Sequence, residues 1–326
     1  MTTHRLPDDS SIIEINTGHK ICSLFFSEDG KQVFSGGAEG MLRCWQAGDG
    51  HQVGEPIQIE GKEIFSVGLS PDRKWLVCGL RPVRLSHGIQ TAGVWDAQTH
   101  EKVLDIRGHK DTVYSIDISP DSTKFVTGSA DKHVFIWNMT TGERLVGPLR
   151  HDSFVVVVRF SPNGDRIATA AESEIPDAKS IRIYNSDNGQ QLLDIPFRIY
   201  NTSSLAWSAD GRQLFAVSFG EARCFDTSSG VLLSTWSIHS QGQPTGVALA
   251  HNQKFIVSSA YTSLSFWDTS THMQIGTVVE HASELRSIVL SPNDDCIATG
   301  EENGTVTIRS LRDILPISYF TVNVSD

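Results

Sequence analysis

The sequence predicts an all-β fold made of seven copies of one small sheet, because two markers recur in step along the chain. The first marker is a tryptophan, or a residue in its place, every 41 to 50 residues: Trp45, Trp95, Trp137, Tyr184, Phe225, Trp267 and Arg309. The second is a turn of the Ser-Pro-Asp type with the same step. A repeat of about 42 residues containing four short strands is typical of a β-propeller blade. We therefore expect a seven-bladed β-propeller of four-stranded antiparallel blades.

The third copy shows the four strands most clearly. Alternating β-branched and aromatic residues between turn signals predict strands at residues 101–106, 113–118, 124–128 and 134–137. Ser119-Pro-Asp121 forms the turn after the second strand, because proline fixes φ and the flanking polar side chains form turn hydrogen bonds. The seven copies fill most of the 326 residues, so we expect one domain over residues 1–326, with repeats at about 11–312 and a short C-terminal tail.

Four short motifs of this copy resemble the WD-repeat family, and the phrasing of the turns is similar to fungal multi-repeat WD proteins. The motifs are Gly108-His109, Ser119-Pro-Asp121, Thr127-Gly-Ser-Ala-Asp131 and Trp137-Asn138. The resemblance implies a buried hydrogen-bond network of a histidine, a hydroxyl, an aspartate and a tryptophan. Its members would be His109, Thr127, Asp131 and Trp137, and in the first copy His19, Ser35 and Trp45, with Glu39 in the place of the aspartate.

We expect the N-terminal segment to close the ring. Residues 11–15 precede Gly18-His19 in the way that residues 102–106 precede Gly108-His109. This segment should complete the blade whose other strands come from residues 285–310, which removes two open sheet edges. The alternative is the tail at residues 317–322, which Pro316 makes a poorer strand.

Composition excludes several functional classes. With 27 Lys and Arg against 38 Asp and Glu, the formal charge is −11, and no basic cluster indicates nucleic-acid binding. The five cysteines are scattered without a C-x-x-C pair, and no apolar run approaches the length of a membrane span. The histidines lack metal-ligand spacing, and no cofactor motif is present. We expect a monomeric protein of the cytoplasm or nucleus, with no metal or cofactor.

A partner site is expected on the face of the ring that carries the Gly-His loops, which the family calls the top. Two copies carry insertions on this face, one with Arg81 and Arg84 and the other with Glu172, Glu174 and Asp177. In the WD-repeat family that the chain resembles, the fifth residue before the turn serine lines the rim of the central channel. The resemblance therefore implies these rim residues: Cys22, Phe65, Tyr114, Val156, Ser203, Thr245 and Arg286. Phe65, Tyr114 and Arg286 are of the types that dominate interface energies.

The predicted function is a non-catalytic scaffold that binds other proteins or peptides through this top face. One alternative is a substrate-recognition subunit of a larger complex such as a ubiquitin ligase, although the Trp-Asp-x-Arg docking signal is missing. A second alternative is a propeller-based hydrolase, since a histidine, a hydroxyl and an aspartate also form a serine-hydrolase triad. A network that recurs in several copies, without a Gly-x-Ser-x-Gly motif, favours a structural role.

Overall fold

Seven four-stranded antiparallel sheets form the protein in a computed structural model, which describes residues 12–59, 62–82, 91–173, 175, 178–199, 204–218, 220–238 and 244–320. Blade one consists of β2 (Ile21–Phe26), β3 (Gln32–Gly37), β4 (Met41–Gln46) and β5 (Ile57–Gln58). Blade two consists of β6 (Lys62–Leu69), β7 (Trp75–Pro82), β8 (Ala92–Asp96) and β9 (Lys102–Ile106). Blade three consists of β10 (Val113–Ile118), β11 (Lys124–Ser129), β12 (His133–Asn138) and β13 (Arg144–Arg150).

The second half of the chain repeats this arrangement. Blade four consists of β14 (Val155–Phe160), β15 (Arg166–Ala171), β16 (Ile181–Asn185) and β17 (Gln191–Ile195). Blade five consists of β18 (Ser204–Trp207), β19 (Gln213–Ser218), β20 (Glu221–Asp226) and β21 (Leu232–Ser237). Blade six consists of β22 (Pro244–Leu249), β23 (Phe255–Ala260), β24 (Ser263–Asp268) and β25 (Gln274–Glu280). Blade seven consists of β26 (Leu285–Leu290), β27 (Cys296–Glu301), β28 (Thr305–Ser310) and β1 (Ile13–Asn16).

The N-terminal strand closes the ring, as the sequence predicts. β1 pairs antiparallel with β28, with Ile13 opposite Ile308 and Ile15 opposite Val306. The hydroxyl of Thr17 also donates to the carbonyl of Gly304 at 2.8 Å. The outer edge of blade seven is therefore completed by the other end of the chain.

The C-terminal tail does not form the alternative closing strand. It folds into two short 3₁₀ helices, Leu311–Asp313 and Ile317–Tyr319, that run from blade seven to blade six. The Tyr319 hydroxyl donates to Asp268 Oδ2 at 2.8 Å, and Asn252 Nδ2 donates to the carbonyl of Tyr319 at 2.9 Å. We call residues 311–320 the C-terminal strap, because they join these two blades on the side opposite the top.

In six of the seven blades, a turn of the Ser-Pro-Asp type holds the two inner strands at a fixed spacing. In blade three, the Ser119 hydroxyl donates to Asp121 Oδ1 at 2.6 Å and its oxygen accepts from the amide of Lys124 at 2.9 Å. Ser122 has φ of 61°, which the turn requires even though the residue is not a glycine. Equivalent serines at residues 27, 70, 161, 208 and 291 form the same bond to a neighbouring Asp or Asn side chain.

Candidate functional site

The channel mouth on the top face contains the extra residues of β-bulges, one in each of six inner strands. In six inner strands the pairing to the next strand skips one residue: Cys22, Phe65, Tyr114, Val156, Thr245 and Arg286. A bulge turns its extra residue out of the regular alternation, which re-aims the side chain. These are six of the seven rim positions expected from sequence, and the seventh, Ser203, lies outside the described residues.

A cavity of about 330 Å³ opens at this mouth. Five of the predicted rim residues line it: Cys22, Phe65, Tyr114, Val156 and Arg286. The thiol of Cys22 is a poor nucleophile here, because burial raises its pKa to about 11. The mouth therefore offers aromatic surface and charge for binding, without an activated cysteine.

An aromatic pair with charged neighbours forms one side of the mouth. The rings of Phe65 and Tyr114 meet edge to face, with centroids 5.6 Å apart. The guanidinium of Arg81 lies 5.8 Å from the centroid of the Phe65 ring. Burial raises the pKa of the Tyr114 phenol, and the carboxylates of Asp111 and Glu172 raise it further. The structure thus brings Arg81 and Glu172 to this pair, whereas Arg84, Glu174 and Asp177 lie outside the described residues.

Arg286 differs from its expected role as a donor fork for a partner. Its Nε donates to Glu302, and its Nη2 lies 3.3 Å from Glu284 Oε2. Lys20 also contacts Glu302, at 3.1 Å. The protein's own carboxylates therefore engage the guanidinium, because the turn after β27 brings Glu302 over the channel rim. Arg286 thus helps to order the rim, and two of its three guanidinium nitrogens already contact carboxylates of this chain.

The third blade contains the network that the WD-repeat resemblance implies. His109 Nε2 lies 2.7 Å from Thr127 Oγ1, and Trp137 Nε1 donates to the same oxygen at 2.8 Å. His109 Nδ1 lies 3.0 Å from Asp131 Oδ2. Because a carboxylate can only accept, Nδ1 carries the proton given to Asp131. In a neutral imidazole Nε2 then accepts from the threonine hydroxyl, whose oxygen accepts from the indole.

The side chains of this network are buried and paired with one another. Thr127 is fully buried and the His109 side chain has no exposed surface. Burial would raise the pKa of Asp131, but hydrogen bonds from His109 and from the amides of Lys110 and His133 hold it below its ordinary value. Each polar atom is used by the fold, so the geometry is that of a structural network rather than of a hydrolase triad.

The first blade keeps only part of the network. Trp45 Nε1 donates to Ser35 Oγ at 2.8 Å, but the His19 side chain is 56% exposed and contacts Glu39 at 3.1 Å. The longer side chain of Glu39 also pairs with Arg43, which holds its carboxylate near the surface. The expectation that His19 joins a buried network is therefore wrong in this blade.

Blade seven forms a different version that the sequence did not reveal. His281 Nδ1 lies 3.1 Å from Glu301 Oε1, and both side chains are almost fully buried. Asn303 occupies the turn position equivalent to Asp131, and Glu301, two residues earlier, supplies the carboxylate instead. The position of Glu301 at the end of β27 could have indicated it. This end of β27 pairs with Leu285 at the start of β26, which closely follows His281 in the chain.

Two searches for other chemistry gave no candidate in the part of the chain that the structure describes. No group of three or more His, Cys, Asp or Glu side chains is arranged to hold a metal ion there. No helix among those residues is long and apolar enough to cross a membrane.

Comparison with known proteins agrees with the fold and the network. A family model described as "WD domain, G-beta repeat" matches residues 11–46, 100–138 and 273–310. The first and last of these matches contribute strands to the blade that closes the ring. The chain is a seven-bladed β-propeller that contains WD repeats at these three stretches.

Individual relatives are distant. The chain is 22% identical to eukaryotic translation initiation factor 3 subunit I of Vanderwaltozyma polyspora over 223 residues, which cover 64% of each protein. It is 26% identical to the guanine nucleotide-binding protein subunit beta of Solanum tuberosum over 274 residues, or 77% of this chain and 70% of the relative. Autophagy-related protein 16 of Arabidopsis thaliana is 24% identical, over 67% of this chain and 43% of the relative. The match thus spans less than two thirds of the first of these relatives.

Proposed function

We propose that this protein is a non-catalytic scaffold that binds another protein or a peptide through its top face, at the channel mouth over blades two to four. The observation that carries the proposal is the Phe65–Tyr114 pair, which is half buried at the mouth and has charged side chains on both flanks. Aromatic side chains that keep part of their surface in a concave site are frequent interface anchors.

Apolar surface continues from this pair onto blade four. Phe154, in the loop that enters β14, is 40% exposed, and Ile175, between β15 and β16, is 68% exposed. The carbonyl of Phe154 accepts from the amide of Glu172 at 2.8 Å, which joins the two loops. The two residues add apolar contact area beside the rim, and the nearby charges of Arg81 and Glu172 would orient a partner more than bind it.

The names of the relatives support a binding role. Two of them are called subunits, one of a translation initiation factor and one of a guanine nucleotide-binding protein. By analogy we propose a protein that works within an assembly, is monomeric when isolated, and acts in the cytoplasm. Recognition of substrates for a larger complex is the second form that this role could take.

The test is an affinity pull-down with the wild-type protein and with Tyr114→Ala, analysed by mass spectrometry. The control is Leu233→Ala, which removes an exposed apolar side chain from the outer strand of blade five. The proposal expects a stoichiometric partner that wild type and Leu233→Ala retain and Tyr114→Ala loses. Turnover of a hydrolase substrate without any partner would overturn it.

A further inference from the structure

Two cavities meet in the central channel below the mouth. The mouth cavity of about 330 Å³ and a second cavity of about 440 Å³ on the opposite side share five lining residues: Ser23, Ser66, Arg159, Ser287 and Ile288. We call these residues the channel waist. Three serines and one arginine therefore lie where the two cavities meet.

The three waist serines use their oxygens to join neighbouring blades. Ser23 Oγ accepts from the amide of Val67 at 3.1 Å, and Ser66 Oγ accepts from the amide of Ile116 at 3.0 Å. Ser287 Oγ accepts from the amide of Leu24 at 3.0 Å. Each hydroxyl still carries one hydrogen to donate. Within the described residues, none of these three hydrogens has a protein acceptor.

Arg159 brings a positive charge to the same section. Its Nη1 donates to the carbonyl of Val158 at 2.7 Å and to Ser115 Oγ at 3.2 Å. Its Nε and Nη2 donate to no acceptor in the described part of the chain, and no carboxylate there lies within ion-pair distance. At the rim above, by contrast, Arg286 and Lys20 both contact Glu302. A partly buried arginine without a carboxylate partner is costly unless an anion compensates it.

Asp117 is a carboxyl group close enough to influence Arg159, but no ion pair joins the two side chains in the described residues. Asp117 lines the lower cavity, and its Oδ2 accepts from the amide of Phe160 at 2.6 Å. Burial raises the pKa of Asp117, although the charge of Arg159 opposes the rise. The waist is thus rich in hydrogen-bond donors, has a positive guanidinium, and lacks a matching acceptor.

We infer that the channel waist binds a small oxyanion of the phosphate or carboxylate type, held by Arg159 and by the hydroxyls of Ser23, Ser66 and Ser287. A guanidinium fork and converging hydroxyl donors suit the several acceptor oxygens of such a group. The mouth cavity of about 330 Å³ is large enough for such a group, because one water molecule occupies only about 30 Å³ in the liquid. The oxyanion could be free, or it could be carried on a side chain that enters through the mouth. This inference does not rest on the proposed partner site.

Calorimetric titration of the full chain with inorganic phosphate, against chloride at equal ionic strength, tests the site. We expect saturable binding of one phosphate by wild type. Arg159→Gln should bind at least tenfold more weakly, which corresponds to about 1.4 kcal/mol. The control is Arg212→Gln, in an exposed turn with a side chain that is 86% exposed, and it should bind like wild type. Equal affinity in wild type and Arg159→Gln would overturn the site.

The wild-type titration decides the question even if Arg159→Gln does not fold, because the absence of saturable binding by wild type also overturns the inference. Arg159→Lys then serves as the second variant, since it keeps the charge and loses the fork. Its affinity should fall by a smaller factor than that of Arg159→Gln. An unchanged affinity in Arg159→Lys would contradict the role of the guanidinium fork.

A competition experiment distinguishes the two sources of the oxyanion. If a partner side chain carries it, phosphate should weaken partner binding, and a peptide with one phosphoserine should bind more tightly than its serine version. If the oxyanion is free, phosphate and partner should bind together without mutual effect. Tyr114→Ala separates the two proposals, because it should lose the partner while its affinity for phosphate stays that of wild type.

Discussion

Ile15 of the first strand lies opposite Val306 of the last strand, and its side chain is almost completely buried there. It packs in one apolar cluster with Trp45 of blade one and Ile308 of blade seven. Ring closure therefore depends on side-chain packing between the two chain ends as well as on the backbone ladder.

Ile15→Ala should lower the free energy of unfolding by about 2–5 kcal/mol, because it leaves a cavity in that cluster. Urea unfolding measures the change. Ile12→Ala removes a partly exposed side chain just before β1 and should change stability by less than about 0.5 kcal/mol. Deletion of residues 1–17 should lower the melting temperature more than Ile15→Ala does. An unchanged melting temperature after the deletion would contradict this closure.

His109→Ala should destabilise the protein by about 1–3 kcal/mol, because Asp131 and Thr127 are left with unpaired buried atoms. Thermal melts and denaturant unfolding measure the loss. His51→Ala is the control, since the His51 side chain is 84% exposed and its removal should have little effect. A variant that melts like wild type but has lost an enzymatic activity would show that His109 is catalytic.

Stability should decrease as the pH falls below about 6.5, because His151 must stay neutral in the folded protein. Burial and the charge of Arg182 lower the pKa of His151 to about 3. The unfolded chain binds a proton at about pH 6.5 and the folded protein does not, so acid favours unfolding by up to about 1.4 kcal/mol per pH unit. Unfolding curves between about pH 7 and about pH 4.5 measure this slope.

His151→Gln is the matched variant for this pH dependence. It removes the titrating ring, so the slope of stability against pH should decrease in the same range. His281 also has a lowered pKa because it is buried, and it should keep part of the slope in this variant. A slope identical to that of wild type would show that His151 does not cause the acid sensitivity.

Tyr114→Ala should weaken partner binding by about 2 kcal/mol if the phenol is an interface anchor. The control is Tyr261→Ala, because Tyr261 is exposed on the same face at blade six, away from the Phe65–Tyr114 pair. Titration of both variants with the partner measures the difference. Wild-type affinity in Tyr114→Ala would place the site elsewhere.

Tyr319→Phe should cost about 1 kcal/mol, because it removes the hydrogen bond from the C-terminal strap to Asp268. Thermal melts detect the change. Ile317→Ala is the control within the strap, since its side chain is 75% exposed and should contribute little. If Tyr319→Phe melts like wild type, the strap does not stabilise blade six through this bond.

Most of the fold could be predicted from sequence, because the repeat period, the turn signals and the closing strand are local patterns. The rim positions could also be predicted, since a fixed distance from each turn places them on the bulges. The partners of Arg286 could not be predicted, because they depend on where the turn after β27 carries Glu302. Arg159 escaped notice for a related reason: only the closed ring brings it beside serines from three other blades.

Closure by β1 also sets an order of events during synthesis. Thr17 and Gly304, which bond in the finished ring, are 287 residues apart. At about 5–20 residues per second, the ribosome needs roughly 15 to 60 seconds to make the strand that β1 will join. Until β28 has been made, β1 has no strand to pair with and blade seven is incomplete. We therefore expect completion of the last blade to be the final step of folding. A nascent chain that stalls before β28 keeps two open sheet edges, those of β1 and β27.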